Sequence, residues 1–114
     1  MGIARAMAQE PELLMLDEPT SDLDIAAQAE VGNLVERVYG KGGLTVLFVT
    51  HFLSHLPPCC SRILLMKEGH LVYDGPRAGA LEEKTLSLLY GYPVRKVEVE
   101  GRVAVFPGRS RWGR

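Results

Sequence analysis

What this chain has little of narrows its reading first. It carries two cysteines, Cys59 and Cys60, and they are adjacent, so they cannot bridge each other without strain. No metal-ligand spacing surrounds them, a pattern that fits free thiols in a reducing compartment. Long hydrophobic runs are absent: the stretch around Val46 to Val49 is far too short to span a bilayer. The first residues lack the basic start and apolar core of a signal peptide. Charge of one sign is not in excess, the net value being -1, which argues against nucleic acid as a partner. Internal repeats and low-complexity linkers are missing as well. So is a phosphate-binding loop: Gly40-Lys41 has Val35 and Gly42 where Gly-x-x-x-x-Gly-Lys-[Ser/Thr] demands glycine and a hydroxyl. What remains is an ordinary globular composition with 46% hydrophobic residues.

The informative stretch runs from Glu12 to Asp24. Four apolar residues, Leu13 to Leu16, lead straight into two carboxylates, Asp17 and Glu18, and Pro19 stops the strand. Central strands of parallel α/β sheets are covered on both faces and read as continuous apolar runs. Ligands of such sheets bind beyond the carboxyl ends of the strands, where this acidic pair sits. Consecutive side chains on a strand point to opposite faces, so the two carboxylates can serve two purposes, one holding a hydrated Mg²⁺ and the other facing a water. Taken alone, an Asp-Glu pair is more often an acidic loop without chemistry.

Elsewhere the pattern is regular. Met1 to Gln9 is rich in helix formers and is stopped by Pro11. Asp24 is a good N-cap for a helix whose apolar stripe is Ala27, Val31, Leu34, Val35 and Val38, with Gln28, Glu36 and Arg37 on the polar face. Gly40 to Gly43 ends that helix. Leu44 to Val49 reads as a second buried strand that delivers Thr50 and His51 to the same sheet edge as Asp17 and Glu18. A histidine there can bond a phosphate or orient water, although a lone histidine is more often an unremarkable surface residue. His55, four residues on in a short helix stopped by Pro57-Pro58, makes a helical metal pair with His51 conceivable; closure of the strand at His51 argues against it. Arg62 to Met66 and His70 to Tyr73 form a hairpin turned at Gly69, and Asp74-Gly-Pro76 reads as a turn. Leu81, Thr85, Leu88 and Leu89 mark a further amphipathic helix. Val94 to Val99 and Arg102 to Phe106 form a second hairpin around Glu100-Gly101, and Pro107 to Arg114 is a solvated tail with three arginines and Trp112.

Leu13-Leu-Met-Leu-Asp-Glu-Pro-Thr-Ser-Asp-Leu-Asp24 resembles the Walker B segment and D-loop of the ATP-binding cassette (ABC) ATPases. Met1 to Pro11 is similar to the helix that follows that family's signature sequence, and Val49-Thr-His51 to its switch histidine. Leu88 to Val94, with the β-rich ending, is similar to the tails of ABC ATPases that energise import of metal ions, metal chelates or cobalamin. The resemblance implies an α/β fold, the C-terminal part of a P-loop NTPase, with parallel core strands, helices and C-terminal antiparallel hairpins. It divides the chain into residues 1–92, the ATPase portion, and 93–114, a hairpin extension with a basic tail.

For function, the resemblance implies ATP and Mg²⁺ as ligands. Asp17 binds the metal through water, Glu18 polarises the attacking water, and His51 contacts the γ-phosphate. Ser21 and Asp24 belong to the D-loop, which couples the two nucleotide sites of a dimer. The implied partners are a second nucleotide-binding domain and a transmembrane permease subunit, which places the chain in the cytoplasm and brings it to the membrane only through the permease. Neither the Walker A loop nor the Leu-Ser-Gly-Gly-Gln signature occurs in these 114 residues. The expectation is therefore the portion of a transport ATPase that lacks the phosphate cradle and does not hydrolyse ATP by itself. The contrasting reading is a catalytically silent remnant that serves at most as a protein-interaction module.

Overall fold

The computed structural model describes residues 12–109; the helix expected over Met1 to Gln9 and the tail beyond residue 109 lie outside the described residues. The chain divides between Pro57 and Pro58 into two compact units.

The first unit is built on two parallel strands, β1 (Leu13–Asp17) and β2 (Thr45–Val49), joined by helix α1 (Ile25–Gly40). The register pairs Leu13 with Thr45 and Asp17 with Val49, so the two strands end level with each other. Helix α1 begins at Asp24, whose carboxylate accepts a 2.8 Å hydrogen bond from the Ala27 N–H and satisfies one of the orphan donors of the first turn. Its expected stripe is the one that packs. Val35 and Val38 are buried against Leu14 and Leu16, with Val31, Leu34, Leu44, Val46 and Phe48 closing around them. The helix ends at Lys41 in an ordinary right-handed conformation, and the left-handed backbone expected of this glycine run falls on Gly42 and Gly43, with φ of 78° and 73°.

One expectation is corrected here. Among the described residues the strands are covered on one face only: β1 alternates, with Leu14 and Leu16 inside while Leu13 and Met15 are more than half exposed. Leu47 and Val49 of β2 extend that bare face. Four apolar residues in a row signal cover on both sides, but these residues supply only one covering layer.

The second unit holds two antiparallel hairpins. Strands β3 (Arg62–Lys67) and β4 (His70–Pro76) turn at Glu68 and Gly69, both at positive φ, as a tight two-residue hairpin requires. Asp74 to Pro76 does not form the expected turn: it remains paired with β3, where a two-pronged contact of 2.8 Å per prong joins the Arg62 guanidinium to the Asp74 carboxylate. Helices α2 (Arg77–Ala80) and α3 (Glu83–Tyr90) follow. The buried residues are Ala80, Leu81 and Leu86, whereas Leu88, expected on the apolar stripe, is 77% exposed. A break before Glu83 rotates the second helix relative to the phase that one continuous helix from Leu81 would have. Gly91, at φ 67°, caps α3. Strands β5 (Val94–Val99) and β6 (Arg102–Pro107) form the last hairpin, with Glu100 and Gly101 at positive φ as its turn.

Candidate functional site

Parallel pairing puts the carboxyl ends of β1 and β2 side by side, and the chain leaves both strands into loops that hold the titratable groups. The Glu18 N–H donates to the Val49 carbonyl at 2.7 Å, carrying the strand ladder one residue past Asp17. Glu18 itself has φ 51°, a left-handed conformation that a residue with a side chain adopts only when its surroundings hold it. That backbone rotation separates the two carboxylates. Asp17 shares the bare face with Leu13 and Met15, and Glu18 is half-buried and turned toward the loop after β2.

There Glu18 meets His51 twice. One carboxylate oxygen lies 2.7 Å from His51 Nδ1, and the other accepts the His51 backbone N–H at 3.2 Å. An ionised carboxylate only accepts, so the ring proton sits on Nδ1, and Nε2 at the far side of the ring is left for another partner. The His51 side chain is 81% exposed, so that nitrogen is open to solvent. As an imidazolium it donates to an anion; as a neutral ring it accepts a proton from water.

Two further contacts hold these loops. Ser21 N–H donates to the Glu18 carbonyl at 3.2 Å, closing a turn over Pro19 and Thr20. Thr20 is the buried polar residue of that turn, and its hydroxyl lies 2.8 Å from His55 Nδ1. His55 ends a single 3-10 turn, η1 (Leu53–His55), with its ring 4.9 Å from that of Phe52. Sequence reasoning misses Thr20 and offers His55 only as a metal ligand. The available signal was the five-residue segment from His51 to His55, in which one turn of helix carries the second ring back toward the loop after β1.

The sequence-expected residues thus fall into two groups. Glu18 and His51 are in contact, with Asp17 adjacent in the chain. Ser21 and Asp24 lie further along the same loop, Asp24 occupied with capping α1. Among the described residues no three His, Cys, Asp or Glu side chains converge as a metal cage. Mg²⁺ does not need one: it keeps several waters and is held by one or two carboxylates together with substrate phosphates. An exposed carboxylate at a strand end, as Asp17 is, suits that chemistry. No phosphate cradle accompanies it in the described residues, because Gly42 and Gly43 precede β2 and therefore stand at the opposite end of the strands. In the second unit a shallow groove lined by Lys84, Ser87, Leu88, Gly91, Tyr92 and Pro93 contains none of these groups.

The parallel β1–α1–β2 unit with strand-end carboxylates, followed by hairpins, defines the chain as an α/β protein of the ABC ATPase fold. Comparison with known proteins gives the same class. No family model matches the chain. The hemin import ATP-binding protein HmuV of Rhodococcus jostii is 35% identical over 113 residues, 97% of this chain and 38% of that protein. The aliphatic sulfonates import ATP-binding protein SsuB 3 of Pseudomonas syringae pv. tomato is 37% identical over 112 residues, 95% of this chain and 39% of that protein. A solved metal-chelate type ABC transporter in an inward-facing conformation superposes with a TM-score of 0.77 at 29% identity, covering 93% of this chain and 43% of that one. Over nearly its whole length the chain is similar to ATP-binding subunits of ABC transporters, and it spans about two fifths of the length of these two curated relatives.

Proposed function

We propose that this chain supplies the metal-holding and water-orienting half of an ATP hydrolysis site, in a subunit that couples hydrolysis to solute transport. The observation that carries the reading is the 2.7 Å contact between Glu18 and His51 at the common end of two parallel strands. Asp17 holds Mg²⁺ through water, and the ion, when bound, neutralises phosphate charge. Glu18 orients the attacking water. His51, kept in register by Glu18 at Nδ1, turns Nε2 toward the γ-phosphate and donates to it as an imidazolium. Catalysis of this kind is mainly positioning and charge stabilisation.

On this reading Ser21 and Asp24 face a second nucleotide-binding domain. A transmembrane permease is the other partner, and the chain works at the cytoplasmic face of the membrane; among the described residues no helix is long and apolar enough to cross one. The names of the curated relatives favour import. These 114 residues alone turn over no ATP, because they lack the backbone amides and lysine that bind the phosphates.

The test uses Mn²⁺ as a paramagnetic substitute for Mg²⁺. Millimolar Mn·ATP is expected to broaden the NMR signals of Asp17, Glu18 and His51 selectively, and Asp17→Asn to abolish the effect. Uniform or absent broadening favours the other reading, a silent module that binds only protein. Mg-dependent hydrolysis by the isolated chain, abolished by Glu18→Gln, would overturn the claim that it is inactive alone.

A further inference from the structure

His51 is exposed and Glu18 only half-buried, and a pair open to solvent is a weak clamp. Yet Glu18 sits in a left-handed backbone conformation, φ 51°, which is disfavoured for a residue with a side chain. Something beyond the Glu18–His51 contact has to hold that turn.

The surrounding contacts form a two-rung ladder between the loop after β1 and the loop after β2. The first rung is Glu18 to His51, with His51 81% exposed. The second is Thr20 Oγ1 to His55 Nδ1, 2.8 Å, with Thr20 only 3% exposed. Each side rail is short and internally bonded. On one side, Ser21 N–H to the Glu18 carbonyl closes the turn that includes Thr20. On the other, Phe52 N–H donates to Thr50 Oγ1 at 3.0 Å and His55 N–H to the Phe52 carbonyl at 2.9 Å, so the segment from His51 to His55 is one compact turn. The buried rung is the stiffer one, since a hydroxyl taken out of water and left without a partner is strongly disfavoured.

We propose that His55 is a positioning residue for the strand-end site: through the buried Thr20 hydroxyl it fixes the turn that aims the Glu18 carboxylate at His51. This deepens the proposed hydrolytic reading and depends on it for its purpose, but the geometry it asserts needs no nucleotide. In a working subunit, loss of the Thr20–His55 bond would lower turnover more than nucleotide affinity, because it displaces the water-orienting group and leaves the phosphate contacts alone.

The experiment follows the His51 imidazole by long-range ¹H–¹⁵N correlation spectra of the 114-residue chain, with no ATP present. The ring nitrogen shifts report whether Nδ1 still donates to Glu18, and Glu18→Gln gives the reference for a changed acceptor. Thr20→Val keeps the shape of the side chain and removes the hydroxyl. His55→Phe keeps a ring against Phe52 and removes Nδ1. Thr20→Ser keeps the hydroxyl and is the conservative rescue. The expected result is that Thr20→Val and His55→Phe both move the His51 signals toward free imidazole, cutting the occupancy of the Glu18 contact roughly fivefold, as loss of one ordinary hydrogen bond implies, while Thr20→Ser retains the parent spectrum. An unchanged His51 spectrum in either folded variant overturns the proposal. Should Thr20→Val fail to fold, His55→Phe decides, since its site is only half-buried; collapse of both, with a parent-like spectrum in a His55→Gln chain lacking the 2.8 Å contact to Thr20, would also overturn it. If the Mn·ATP test fails while the His51 signals respond as stated, the latch stands and the hydrolytic reading falls.

Discussion

Replacing Asp24 separates a structural duty from a functional one. The residue caps α1 through a 2.8 Å bond to the Ala27 N–H, and the first turn of the helix contains no other acid. Asp24→Ala therefore removes both the acceptor and the only negative charge at that terminus. A lost N-cap costs about 1 kcal/mol, and the charge at an exposed helix start contributes roughly another 0.3–1 kcal/mol at low salt. Because α1 provides Val35 and Val38 to the core of its unit, this loss is felt by the whole unit and not by a frayed end. With a urea dependence of about 1 kcal/mol per molar for so small a unit, the midpoint should fall by roughly 1–2 M. Asp24→Asn, which keeps the acceptor, should lose less than half of that, and added salt should narrow the gap between parent and Asn variant. The assay is urea unfolding followed by far-UV circular dichroism at 222 nm and low salt, a signal to which α1 is the longest contributor among the described helices. If Asp24→Ala unfolds at the parent midpoint, the cap is not formed in solution and the assignment of Asp24 as a helix start is wrong.

The other expectations are narrower. Val35 is 2% exposed between α1 and β1, so Val35→Ala should destabilise the first unit by about 2 kcal/mol, from two lost methyl groups and the cavity they leave; a change below a few tenths in urea unfolding would show the site to be loosely packed. Glu83 has its carboxyl held below the usual carboxylate range, chiefly by the Lys96 backbone N–H, with the Arg95 side chain adding to it. A depressed folded-state value means that the α3–β5 contact is present above the ordinary glutamate range and is lost as pH falls through the lower folded value. An NMR titration of the Glu83 carboxyl should therefore show a midpoint below that of a free glutamate, returning toward it in Arg95→Ala only in part, because the backbone donor remains; a midpoint at or above the free value would refute the contact.

The bare face of β1 and β2 is where sequence and structure are most instructive together. Leu13 and Met15 are as apolar as Leu14 and Leu16, so the residues announce a strand meant for burial on both sides, yet among the described residues only α1 covers it, and on one face. The chain spans about two fifths of the length of these relatives. Such a face should make the isolated chain poorly soluble, and a monodisperse, cooperatively unfolding monomer would count against that expectation.

By itself the sequence placed the two parallel strands, the helix between them and the two hairpins. The strand-end carboxylates, the helix stripe of Val31, Val35 and Val38, both hairpins and the arrival of His51 at the acidic edge follow from local periodicity, turn residues and capping, which act over a few positions. Only the tertiary structure decided three things. Parallel register set Asp17 level with Val49 and so brought Glu18 within 2.7 Å of His51. The break before α3 turned Leu88 outward and Leu86 inward. The Thr20–His55 bond joined residues 35 apart in the chain. Each depends on distances between segments that no short-range pattern encodes, because a hydroxyl and a ring nitrogen become partners only after a strand pair has closed beneath them.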